Sequence, residues 1–211
     1  MVLISGRYSP KGAENAQISV TEKIIGFLGS YLEYDDEDVK LIRYGLHGII
    51  RTFGGIFVAL TAAWAMNILP YALVYLGIFL TIRIYAGGYH ASTARGCAAI
   101  TSTMIALAYV YIRYCSMSAL IVATTYSISA ITILLVSPVE NIKKPISEHE
   151  TTVYKKRTYL LIVIVTIGFV IAIVYDKAQI YRSIVASVSE IMTLLIFGIF
   201  DNRRNLAKKC V

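Results

Sequence analysis

A histidine and a cysteine seven positions apart, His90 and Cys97, sit in the stretch "RIYAGGYHASTARGC" (83–97) of an otherwise largely hydrocarbon-like chain. A thiol and an imidazole are the ingredients of covalent catalysis. The imidazole takes the thiol proton, the sulfur attacks a carbonyl carbon, and the proton then passes to the leaving amine. On a continuous helix seven residues rise ~10 Å, beyond the ~3 Å contact of a thiol with its general base, so the segment must fold back. Gly87, Gly88 and Gly96 bracket the pair and supply the backbone freedom for a re-entrant loop or broken helix. Cys97 is expected at the N-cap or in the first turn of the span that follows, where unpaired N–H groups and the helix dipole favour an anion such as a thiolate. Backbone amides at Gly96, Cys97 or Ala98 are the candidate donors to an oxyanion. No further Cys or His lies nearby to complete a metal site, and neither a metal nor another cofactor is expected. A Cys and a His are also ordinary residues of a membrane-boundary loop, so the residue types alone leave the pair open.

The elements that position this stretch are membrane spans. The chain is 57% hydrophobic and only 16% charged, against roughly 25% charged in soluble domains. Apolar windows cover 46–66, 69–82, 98–112, 117–136, 159–175 and 183–200. Four to six spans are predicted, with six favoured; the second crosses comfortably only if it runs on to Ala86 with Arg83 snorkelling. Ahead of them, Ile18, Thr21, Ile25, Leu28 and Leu32 recur at helical spacing, the pattern of an amphipathic helix lying in the interface. The expected fold is therefore an all-α polytopic membrane protein, a single domain over 1–211. Residues 1–45 form its interfacial N-terminus, 46–200 the bundle with its loop at 83–97, and 201–211 a basic tail. No apolar signal-peptide core follows the first basic residue, so the mature protein is expected to start near Met1.

Charge sets the orientation. With six spans, all but four of the twenty Lys and Arg fall on one side; Arg51 lies within a span, and Arg113, Lys177 and Arg182 lie on the other side. The positive-inside bias then puts both termini and the 83–97 loop on the cytoplasmic side of the cell membrane. The formal charge of +7 is dispersed among loops, which favours contact with anionic membrane lipids and argues against a nucleic-acid partner. Three cysteines do not make a disulfide framework, and a reducing cytoplasm keeps Cys97 a thiol. In the long polar connection at 137–158, Ser147 and Glu150 have the spacing of a capping box. The neighbouring Glu148, His149 and Glu150 are the one cluster that could lend His90 a carboxylate. Two copies could pair through the small-residue face at Gly54 and Gly55.

The run Arg83, Ala86, Gly87, Gly88, Tyr89, His90, Ala91, with Cys97 seven residues after the histidine, resembles the signature of the accessory gene regulator B (AgrB) family. These are membrane cysteine endopeptidases of Gram-positive bacteria. The later "NIKKPISEHE" is similar to an Asn-x-Lys-x-Pro segment of the same family. The resemblance implies a quorum-sensing role, in which an AgrD-type precursor peptide is cut on its C-terminal side and helped into a ring. It implies His90 and Cys97 as the catalytic dyad, with Arg83, Gly87 and Gly88 supporting them. An acidic tail on the substrate would meet Lys143 and Lys144, together with Lys155, Lys156 or Arg157. Arg83 reads either as an anchor for a substrate carboxylate or as a snorkelling boundary residue. The rival from another class is a non-catalytic peptide transporter or export scaffold; an acyltransferase using the same thiol is a third reading.

Overall fold

The computed structural model describes residues 36–89, 93–139 and 147–209. The amphipathic helix expected before residue 35 lies outside the described residues. The elements are helices in the order α1 (Asp36–Ala65), α2 (Leu69–Ala86), α3 (Ala94–Tyr114), α4 (Ala119–Val136), α5 (Glu148–Val174) and α6 (Ala178–Lys209). Among the described residues all six are long and apolar enough to cross a bilayer, and the chain is a multi-pass membrane protein. The predicted spans are all present, and the second does run on to Ala86.

Two kinds of local chemistry set the helix ends. The chain turns at Asn67, in the left-handed region with φ 55°, where a short polar side chain is tolerated. Pro70 follows in the first turn of α2, where its missing N–H costs nothing. At the start of α5 the predicted capping box is in place. The Ser147 hydroxyl accepts from the Glu150 N–H (3.3 Å), and the Glu150 carboxylate accepts from the Ser147 N–H (3.0 Å) and hydroxyl (3.0 Å). Glu150 is thus engaged in capping, and His149 is exposed.

The chain divides into two compact units between Val58 and Ala59, within α1. The described part of the first unit is the helical stretch 36–58, along which Phe53 and Phe57 are exposed, as suits a lipid-facing surface. The second unit is built around α6, 56% of whose span is buried, against 33% for α2. Small residues make this central place accessible. Ser183, Ala186 and Ser187 are buried, and the Ser187 hydroxyl donates to the Tyr75 carbonyl (2.9 Å) on α2 and to Ser183 O (2.8 Å) on its own helix. One core joins α2, α4, α5 and α6 through Phe79, Ile82, Ile133, Phe169, Val188 and Leu195, with Tyr126 stacked on Phe169 at 4.1 Å. A second core in this unit gathers Ala63, Tyr75, Leu76, Tyr109, Ile112 and Ala186.

Tyr75, Tyr109 and Tyr126 are interior, and each phenol has a partner: Tyr75 donates to the carboxylate of Glu190, Tyr109 to Ala59 O (3.1 Å), and Tyr126 pairs with Thr166 (2.7 Å). Glu190 lies within the apolar run of α6, where a carboxylate without partners is expensive. Tyr75→Phe removes its phenol donor and is expected to destabilise the bundle by about 1 kcal/mol. Thermal unfolding in nanodiscs reads this as a lower midpoint; an unchanged midpoint would mean that the pair carries no stability.

Candidate active site

The site grows from the end of α2. The Gly87 N–H closes the last turn on Arg83 O (3.2 Å), and the backbone then leaves the helix through two positive φ angles, 74° at Gly87 and 115° at Gly88. Residues with a Cβ rarely adopt either value. Space makes the same demand. A Cβ on Gly87 would stand 2.4 Å from Val139 O, and one on Gly88 would stand 3.0 Å from Arg83 Nη1 and 3.1 Å from Leu194 O. The segment is tied on both sides: the Val139 N–H donates to Ala86 O (3.0 Å), and the Tyr89 N–H donates to Leu194 O of α6 (2.9 Å). Gly87→Ala therefore combines a left-handed backbone with a backbone clash. It is expected to cost at least about 1–2 kcal/mol, read as a lower unfolding temperature; a wild-type midpoint would contradict the tight seat.

Arg83 lies one turn before the end of α2, and its guanidinium reaches forward along the chain. Nη1 donates to Gly87 O (3.2 Å) and Nη2 to Tyr89 O (2.6 Å). The second acceptor is the carbonyl of the Tyr89–His90 peptide bond, so a charged donor fixes the plane from which His90 departs. Bonds of this charge-assisted kind are roughly twice as strong as neutral ones. The half-buried guanidinium is also within electrostatic reach of Cys97. Of the predicted residues, Arg83, Gly87 and Gly88 thus lie together in the turn that ends α2, and Cys97 lies in the first turn of α3.

Cys97 enters from the other end. Thr93 is the N-cap of α3, its hydroxyl accepting from the Gly96 N–H (3.1 Å) and its carbonyl from the Cys97 N–H (3.0 Å). Cys97 is therefore the fourth residue of the helix, a free, half-buried thiol in its first turn and not its cap. This corrects the expected oxyanion donors. The Gly96 and Cys97 amides are already bonded, and the amides that helix geometry leaves over in this turn are those of Ala94 and Arg95. Thr93 itself was legible, since Thr ahead of a helical run is a standard N-cap signal.

His90, Lys143 and Lys144 lie outside the described residues. Their points of departure are described: His90 follows Tyr89 directly, and the connection carrying the two lysines leaves from Val139. Beside the site, the Arg157 guanidinium lies over the Tyr85 ring at 5.2 Å and donates to its hydroxyl (3.3 Å), while Tyr154 meets the same ring edge-on at 5.9 Å. Lys155 and Lys156 are exposed. Three residues that sequence reasoning missed hold the loop from outside it: Val139, Leu194 and Gly198. No local signal marks them, because each acts through a contact distant in sequence.

Residues 21–199 match the family described as Accessory gene regulator B. An AgrB-like protein 2 of Clostridium perfringens (strain 13 / Type A) is 32% identical over 84 residues, 40% of this chain and 37% of that protein. An AgrB-like protein of Clostridium perfringens (strain SM101 / Type A) is 31% identical over 84 residues, with the same coverage of each chain. The matched stretch thus spans little more than a third of either relative's length. No solved structure matches the chain.

Proposed function

This chain belongs to the accessory gene regulator B family, and on that premise we propose that it is a membrane cysteine endopeptidase that cuts a short quorum-sensing precursor peptide of the AgrD type. His90 takes the proton from the Cys97 thiol, and the sulfur attacks the scissile carbonyl. The peptide C–N bond breaks, and the proton passes from His90 to the departing amine of the C-terminal tail. The upstream part of the peptide is left as a thioester on Cys97. A thiol within that peptide can displace Cys97 by near-isoenergetic exchange, which closes a thiolactone and restores the enzyme thiol; a serine hydroxyl would give a lactone. Closure before hydrolysis requires that water be kept out and the internal nucleophile held near, conditions a site at the membrane boundary favours. Lys143, Lys144 and the exposed Lys155 and Lys156 would draw an acidic tail to the cytoplasmic face.

The observation that carries the reading is the clamp of Arg83. One guanidinium holds the peptide bond leading into His90 and stands within electrostatic reach of Cys97. The glycine turn and this clamp support a reading in which the chain turns back toward Cys97 beyond Tyr89. The test is co-expression with a short candidate precursor that carries one internal Cys or Ser and an acidic C-terminal tail, followed by mass spectrometry. Wild type is expected to release the tail and to yield a core one water lighter than its linear form. Tail release that persists in Cys97→Ala would end this reading and return the loop to a structural role.

A further inference from the structure

Gly198 sits within α6, where alanine would favour the helix by about 1 kcal/mol. What it faces accounts for the glycine. A Cβ at this position would stand 2.9 Å from Tyr89 N, 3.0 Å from Gly88 C and 3.2 Å from Gly88 Cα. All three are backbone atoms of the segment leading into His90. They cannot swing aside as a side-chain tip would, because the Tyr89 N–H is bonded to Leu194 O and the Tyr89 carbonyl to Arg83. Gly77 and Gly168, in other spans, have nothing within 4 Å of the same virtual atom.

We propose that α6 is the seat of the catalytic segment and that Gly198 is a positioning residue acting through it. The bare face of Gly198, with the Leu194 carbonyl one turn earlier, sets where the Gly88–Tyr89 backbone that leads into His90 is held. Gly198 touches no reacting atom. The inference rests on the catalytic reading of His90 and Cys97. A methyl group at residue 198 displaces the Gly88–Tyr89 backbone outward and loosens the bond between Tyr89 and Leu194, and on the catalytic reading this disturbs the dyad. A misplacement on the order of 1 Å is enough to cost about a hundredfold in rate.

The experiment compares full-length wild type, Gly198→Ala and Gly168→Ala in nanodiscs by two readouts. One is hydrogen exchange at the Tyr89 amide; the other is kcat and KM on a synthetic precursor peptide with one internal Cys and an acidic C-terminal tail. Gly198→Ala is expected to exchange Tyr89 about tenfold faster or more and to lose about tenfold to a hundredfold in kcat, with KM within about twofold. Gly168→Ala is expected to match wild type in both. Unchanged exchange, or faster exchange with an unchanged kcat, would overturn the positioning role. Exchange is read without turnover, so if wild type fails to cut the peptide the catalytic reading falls and the seat is judged on exchange alone. If Gly198→Ala does not fold, wild type decides: a Tyr89 amide as protected as those of α6 supports the seat, and exchange at the rate of a free loop overturns it.

Discussion

Cys97→Ala is expected to stop precursor cleavage while leaving the protein folded and membrane-inserted. The thiol is half-buried in the first turn of α3, and alanine preserves the helix. Stability therefore changes little, whereas the acyl-enzyme route is removed. Loss of a nucleophile costs roughly 10⁴-fold or more in kcat in enzymes that use one, which puts the residual rate below detection in a co-expression assay. Cys97→Ser keeps the shape and supplies a hydroxyl, a far weaker nucleophile at neutral pH, and is also expected to lose most of the activity. Thermal unfolding of both variants near the wild-type midpoint, alongside lost cleavage, separates chemistry from folding. A Cys97→Ala protein that still releases the tail would show that the thiol is not the nucleophile.

Arg83→Gln is the second large loss. The guanidinium donates to Gly87 O and Tyr89 O at once, a forked pattern that its planar geometry supports. Glutamine is shorter and uncharged, so both bonds and the positive charge go together. About a hundredfold loss in kcat is expected, the scale of an ångström-level misplacement. Arg83→Lys separates the two contributions: the ammonium restores the charge, but as a single point on a flexible stem it cannot reproduce the fork, so recovery is expected to be partial. The alternative role, an anchor for a substrate carboxylate, predicts a different signature, a raised KM at nearly constant kcat. Full recovery with lysine would show that charge alone matters and that the clamp does not.

The helices were legible because hydropathy acts over windows of about 20 residues and needs no tertiary information. Their ends were less so. The window for the third span begins at Ala98, four residues late, because the first turn from Ala94 to Cys97 includes Arg95 and Gly96 and is held by Thr93, a cap and not a membrane signal. The sixth helix outruns its window for the same reason, continuing as charged helix from Asp201 to Lys209. In the site, the glycines and Arg83 announced a break in the chain, since two adjacent glycines beside a boundary arginine have few other uses. What the arginine does was hidden, because its acceptors are backbone carbonyls available at any residue. Gly198 reads as one more glycine in a span, and its reason lies 110 positions earlier in the chain. Glu190 stands out in an apolar run by sequence, but its partner Tyr75 is 115 positions away. Local rules find caps and turns; they do not find which helix the turn is laid upon.

If Cys97 is the nucleophile, the protein carries a covalent acyl group during turnover, and its intact mass reports it. Wild-type protein in nanodiscs is mixed with the synthetic precursor, quenched in acid within the first turnovers and weighed. The expected adduct equals the upstream part of the precursor less one water, is removed by hydroxylamine, maps to Cys97 and is absent from Cys97→Ala. Tail release by wild type without any such adduct, together with release by Cys97→Ala, would contradict the role of Cys97 as nucleophile.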